Sequence, residues 1–216
     1  MEDVSNGDAK NSAALAEAKL GSVYQSLGNT DKALTHFTNY NRLAKELYTE
    51  NGNNVVYKND LAQSFTRLAE VHATLTNWDK SLIYYEERLK LNQELCEKFP
   101  NNTTYKNNLS VVYSKLGTVL TTLGELDKAL IYYEKDVELS KELYTAHLKN
   151  VYFKNGLALA YSQLGTFYKD KKNDKTQADA YFEQGKALLS ELVATTPTST
   201  DYKNNLKLLE DKLAEK

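Results

Sequence analysis

The stretch "LGELDKALIYYEK", Leu123–Lys135, decides how this chain is read, because close copies of it stand at a fixed distance upstream. "LTNWDKSLIYYEE" starts at Leu75 and "LGNTDKALTHFTN" at Leu27, so both offsets are 48 residues (123−75 and 75−27). A worn fourth copy, "KTQADAYFEQG", runs from Lys175 to Gly185. The step extends beyond the quoted phrase. Leu20, Leu68, Leu116 and Leu164 are each 48 apart, as are Tyr57, Tyr105 and Phe153, and Tyr202 follows one residue late (202−153 = 49). The extra residue fits an insertion in "KDKKNDKTQ", Lys169–Gln177, where the fourth copy also lacks its glycine. A period of this order marks a repeat array, in which each unit buries its apolar face against its neighbours.

Each unit holds two helical periodicities. In the second, Tyr57, Leu61, Phe65, Leu68, His72 and Leu75 recur at three- and four-residue spacing and define one apolar face. "TNWDK" interrupts the pattern, with Asn77 placed to cap a second helix that carries Leu82, Tyr85, Leu89, Leu91, Leu95 and Phe99. Pro100-Asn101-Asn102 ends that helix and caps the next. Helices of about 20 residues, about 30 Å long, are predicted to pair antiparallel across short turns and to stack.

With the repeat laid out, "LGSVYQSLGNTDKAL", with Leu20, Gly21, Tyr24, Gly28, Ala33 and Phe37, resembles the tetratricopeptide repeat signature. So does "LGTVLTTLGELDKALIYYEK", where Leu120 replaces the tyrosine. The residue types have a packing reason. Gly21, Ala69, Gly117 and Gly165 are small where the first helix meets its partner, and Ala33, Ser81, Ala129 and Ala178 are small where the second crosses back. Phe37, Tyr85, Tyr133 and Phe182 fill the space between. The resemblance implies an all-α, right-handed α-solenoid of four antiparallel helix pairs plus a C-terminal capping helix. The predicted repeats are residues 5–52, 53–100, 101–148 and 149–197, the cap is residues 199–214, and residues 1–216 form a single superhelical domain. Since the family's period is about 34 residues, a 48-residue step marks a long-helix variant, with about two extra turns per helix. HEAT or armadillo repeats match the length better but do not predict the glycine-then-"DKAL" turn.

The ends are read in the same register. Tyr202, Leu206, Leu209 and Leu213 are expected to cover the apolar face of the fourth pair, with an outer side of Lys, Asn, Glu and Asp. At the front, Ala9, Lys10, Asn11 and Ala13 hold the phase of Tyr57, Lys58, Asn59 and Leu61 with smaller residues. The first helix is either a softened cap or a repeat of a longer array, the second being favoured.

Composition narrows the function classes. The 216 residues carry a net charge of −2 with acids and bases interspersed, so no basic footprint for nucleic acid or membrane appears. No apolar run is long enough to span a bilayer, the opening "MEDVSNGDAK" is not expected to act as a secretory leader, and one cysteine makes no disulfide framework. A cytoplasmic location is expected. His36, His72 and His147 lack ligand spacing, and His72 sits in a core slot shared with Tyr24, Leu120 and Tyr168. Cys96 shares the slot of Tyr48 and Tyr144 and is predicted to be a half-buried structural thiol. Without a phosphate loop, a nucleophile elbow or a zinc motif, no enzyme activity, cofactor or metal is expected. The 16 tyrosines fall mostly in core phase, which argues for packing rather than base stacking.

The resemblance implies a concave surface lined by the first helix of each pair. There the second unit presents Asn59, Gln63, Thr66, Glu70 and Thr74. The third presents Asn107, Val111, Ser114, Thr118 and Thr122, and the fourth Asn155, Leu159, Ser162, Thr166 and Asp170. This stripe is small, hydroxylated and nearly neutral, with charge only at Glu70, Lys169 and Asp170. It lacks the Lys, Arg and Asn cluster that some relatives use to clamp a terminal carboxylate. The expected function is a protein-interaction scaffold that takes an extended peptide or a partner helix in its groove. The alternative is a regulatory arm of a larger protein with an NTPase or protease domain. Asn59, Asn107 and Asn155, each just after a lysine, either pair with a bound peptide backbone or stitch neighbouring repeats.

Overall fold

The computed structural model describes residues 2–52 and 54–215, with side chains from residue 7 onward. Helices α1 (Glu2–Ser26), α2 (Thr30–Glu50), α3 (Val55–Thr74) and α4 (Trp78–Lys98) are followed by α5 (Thr103–Leu123) and α6 (Leu126–Ala146). Then come α7 (Val151–Phe167), lengthened by a π-helical turn at Tyr168–Lys172, α8 (Lys175–Thr195) and α9 (Thr200–Ala214). The fold is all-α, with no strand among the described residues. It divides into two compact units between Tyr105 and Lys106. Within each, consecutive helices pack in chain order, as in an α-solenoid: α1 on α2, α2 on α3 and α3 on α4 in the first, and α6 on α7, α7 on α8 and α8 on α9 in the second.

Local chemistry sets the boundaries. The first helix of a pair is capped by Asn54, Asn102 or Asn150, whose side-chain oxygens accept from the amides two and three residues on at 2.9–3.5 Å. Ser199 does the same for α9, accepting from the Tyr202 amide at 3.3 Å. Such a side chain satisfies amides that the first helical turn leaves without partners. The turn inside each pair needs one left-handed residue, supplied by Gly28 (φ 72°), Thr76 (φ 58°), Gly124 (φ 81°) and Asn173 (φ 52°). Asn77 stands at the cap position of α4 but makes no side-chain cap bond, in contrast to Asn29, which accepts from the Lys32 amide at 3.2 Å. The extra residue of the fourth unit is absorbed as the π-helical turn, since a wider i to i+5 turn accommodates one residue without resetting the helix phase.

Packing between paired helices follows the small-against-large pattern. Phe37, Tyr85, Tyr133 and Phe182 are all buried. A Cβ added at Gly21 would meet Phe37 at 2.5 Å, at Gly117 Tyr133 at 2.7 Å, and at Gly165 Phe182 at 2.6 Å. In the first unit Ala33 and Phe37 cluster with Leu68 and Val71. In the second, Ala158, Phe182, Leu189 and Leu192 cluster with Leu209 of α9, and Tyr202, Leu206 and Leu213 flank them. The expected covering of the fourth pair is therefore present. Its outer side is less polar than the sequence suggested, because Leu208 is half exposed. Leu20 is also exposed, whereas Leu68, Leu116 and Leu164 are buried.

The recurring lysines have a structural task. Lys58 pairs with Glu94, Lys106 with Glu142, and Lys154 with Glu191 at 2.6 Å, each clasping the two helices of one pair. Lys10 makes the corresponding pairs with Glu46 at 3.5 Å and Glu50 at 2.5 Å. His72 is buried and stacks on Tyr84 at 5.5 Å, and burial, with Lys80 nearby, lowers its pKa. Cys96 is half-buried.

Candidate functional site

One face of α7 in the second unit borders two clefts that meet at Gln163. The first, about 220 Å³, lies between α5, α6 and α7, and Asn107, Ser114 and Asn155 of the expected stripe line it together with Val111 and Leu159. The second, about 380 Å³, continues along α7 past Ser162, Thr166 and Asp170 to Leu208 and Lys212 of α9. Helical phase explains the gathering: Asn155, Leu159, Ser162, Thr166 and Asp170 step by three or four residues and share one side of the helix. Apolar footholds alternate with polar groups there, since Val111, Leu159 and Leu208 are all exposed.

The polar groups are not equivalent. Asn107 Nδ2 donates to the Tyr152 hydroxyl at 3.0 Å, so this asparagine stitches α5 to the start of α7. Ser114 Oγ donates to Gln163 Oε1, a second tie between the same helices. Asn155 Oδ1 is buried and has no hydrogen-bond partner. Thr118 and Thr166 return their hydroxyls to carbonyls of their own helix, Ser114 O at 3.1 Å and Ser162 O at 2.8 Å. Thr118 Oγ1 also accepts from the Tyr133 hydroxyl at 3.4 Å.

In the first unit the stripe lies along α3. Asn59, Gln63 and Glu70 are half-buried, and Glu70 faces Arg67 at 3.5 Å. Thr66 departs from the expectation of a groove residue: it is buried, and its hydroxyl is spent on the Ala62 carbonyl at 3.2 Å.

The floor of the first cleft is what the sequence reading missed. Ser110 of α5 and Asp136 and Ser140 of α6 line it, and all three are buried. Ser110 Oγ donates to Asp136 Oδ1, Ser140 Oγ lies 3.3 Å from the same oxygen, and the two hydroxyls are 2.9 Å apart. Burial raises the Asp136 pKa to about 6, against the lowering effect of the Ser110 and Ser140 hydrogen bonds. The missing signal was a register slot. Asp136 occupies the position held by Tyr40, Arg88 and Gly185, and Ser110 the position of Ala14, Ala62 and Ala158, all of them inward-facing. An aspartate in core phase, Tyr133–Asp136–Ser140–Leu143, marks a polar group turned inward. Arg88, which holds the same slot one repeat earlier, is likewise buried, with its pKa pulled down by desolvation.

Comparison with known proteins agrees with this architecture. Residues 109–147 match the tetratricopeptide repeat family. Among similar solved structures, the crystal structure of MamA shares 20% identity over 89% of this chain and 86% of its own, with a TM-score of 0.57. The apo form of RapI shares 13% identity over 94% of this chain and 69% of its own, with a TM-score of 0.65. At such identities the likeness is one of fold. No curated protein sequence matches the chain.

Proposed function

We propose that the chain is a non-catalytic interaction scaffold of tetratricopeptide repeats whose α7 groove takes an extended peptide, a reading supported by the family match at residues 109–147 and the likeness of fold. The observation that carries this reading is the continuity of the two clefts through Gln163, with exposed Val111, Leu159 and Leu208 spaced among hydroxyl and amide groups. Apolar footholds supply affinity by area, and amides that both donate and accept suit a peptide backbone of any sequence. Asn155, Ser162, Thr166 and Ser114 are the proposed contacts in this unit, with Asn107 fixed in place by Tyr152. Asn59, Gln63 and Glu70 on α3 offer a similar polar strip in the first unit.

The charges lining the groove balance, Asp136 and Asp170 against Lys171 and Lys212, which favours recognition by shape and local pairing over long-range electrostatic steering. Leu159→Trp tests the reading, because it fills the first cleft from an exposed position without disturbing the core. Peptides selected on the wild-type chain are expected to bind this variant at least about tenfold more weakly, with melting within about 0.5 kcal/mol of wild type. Equal binding to both would place the interaction elsewhere.

A further inference from the structure

We propose that the floor of the first cleft is a binding site for a primary ammonium group, the end of a lysine side chain carried by the peptide in the α7 groove. The proposal rests on the groove reading and names the chemistry that its deepest point selects.

Asp136 is 5% exposed, yet both serine hydroxyls that reach it converge on Oδ1. Among the described residues no hydrogen bond reaches Oδ2, and Asp136 lines the cleft. The same cleft holds Asn155 Oδ1, an amide oxygen buried without a donor. A carboxylate has room for about four hydrogen bonds and an amide oxygen for two. The cleft thus holds two acceptors short of donors, the Asp136 carboxylate and Asn155 Oδ1, and no basic side chain lines it.

The complementary ligand is a group with donors only, positive charge and a slim apolar stem. An alkylammonium has three donors and no acceptor, and its methylenes can lie against Val111 and Leu159. A neutral hydroxyl or amide would leave the carboxylate uncompensated in low dielectric, and an anion would be repelled.

Charge complementarity makes the site dependent on pH. The raised Asp136 pKa, about 6, means that the carboxyl is mostly protonated near pH 5 and ionised near pH 7.5. Tyr152 is the other titratable group lining the cleft; the remaining polar groups, Ser110, Ser114, Ser140, Asn107, Asn155 and Gln163, do not titrate. Ammonium binding should therefore strengthen about tenfold between about pH 5 and about pH 7.5.

The test is an NMR titration of the full chain with acetyl-Gly-Lys-Gly-amide, its norleucine counterpart and n-butylammonium. The lysine peptide is expected to shift the amides around Asp136 and Asn155. The norleucine peptide should bind at least about tenfold more weakly. Asp136→Asn keeps shape and hydrogen-bond geometry and should abolish both the lysine preference and the pH dependence. Ser110→Ala should weaken the preference less. Equal binding of lysine and norleucine peptides, unaffected by Asp136→Asn, would overturn the ammonium site while leaving the groove reading intact. Absence of any response to the lysine peptide at about pH 7.5 would overturn it as well. Butylammonium binding as tightly as the peptide would overturn the assignment to a peptide side chain.

Discussion

Asp136 is the residue whose environment costs the fold most visibly. A carboxyl with a raised pKa binds its proton more tightly in the folded than in the unfolded state. Its penalty is absent below about pH 4, grows through the interval up to about 6, and is complete above it. Asp136→Asn is therefore expected to raise stability at about pH 7.5 by up to about 3 kcal/mol and to leave it unchanged near pH 4. Melting curves of variant and wild type at each pH check this, and comparison at equal pH cancels the contribution of His72. A variant less stable at neutral pH would show the carboxylate to be structural. The two asparagines of the cleft divide in the same way. Asn107→Ala removes the bond to Tyr152 and should cost about 1 kcal/mol. Asn155→Ala removes an acceptor that has no donor, so melting should hold or rise while peptide binding falls. Sequence showed that asparagines recur at the 48-residue step, but not that one stitches and one stands open. That difference depends on the hydroxyl of Tyr152, which the fourth unit supplies to the third.

At the scale of the helix and its turns, most of the structure was legible. The Asn102 cap and the alternation of small and aromatic residues are local signals that stand where the spacing predicted, whereas Asn77, read as a cap, makes no side-chain cap bond. Among the turns, Thr76 is the instructive exception. The other pairs turn through Gly28, Gly124 or Asn173, whereas a β-branched residue at φ 58° is strained. Thr76→Gly should stabilise the chain by about 1 kcal/mol, read as a rise in the denaturant midpoint. The reverse experiment is Gly117→Val. Even the first added carbon meets the Tyr133 ring at 2.7 Å, so a loss of about 3 kcal/mol or more is expected. The cleft itself was only half legible. Helical phase identified the α7 side chains that face it, but its floor arises where α5 and α6 approach closely enough for Ser110 and Asp136 to meet. No local pattern encodes that separation.

For the chain as a whole, stability should be the sum of pair and neighbour terms, as in other repeat proteins. Helix α9 contributes through its packing on α8. Leu209 is 1% exposed within the cluster of Phe182, Leu189 and Leu192, so Leu209→Ala should cost about 2–5 kcal/mol. Against a total of about 5–15 kcal/mol, removal of α9 altogether should expose that cluster and cause aggregation. The Lys–Glu clasps are partly exposed, and high salt should shift melting little. A peptide lying along α7 is detected by an NMR footprint of a selected peptide on the labelled chain. Shifts are expected at Val111, Ser114, Asn155, Leu159, Ser162 and Thr166. Shifts confined to the outward residues of α6 and α8, such as Ile131, Glu134 and Gln184, would contradict it.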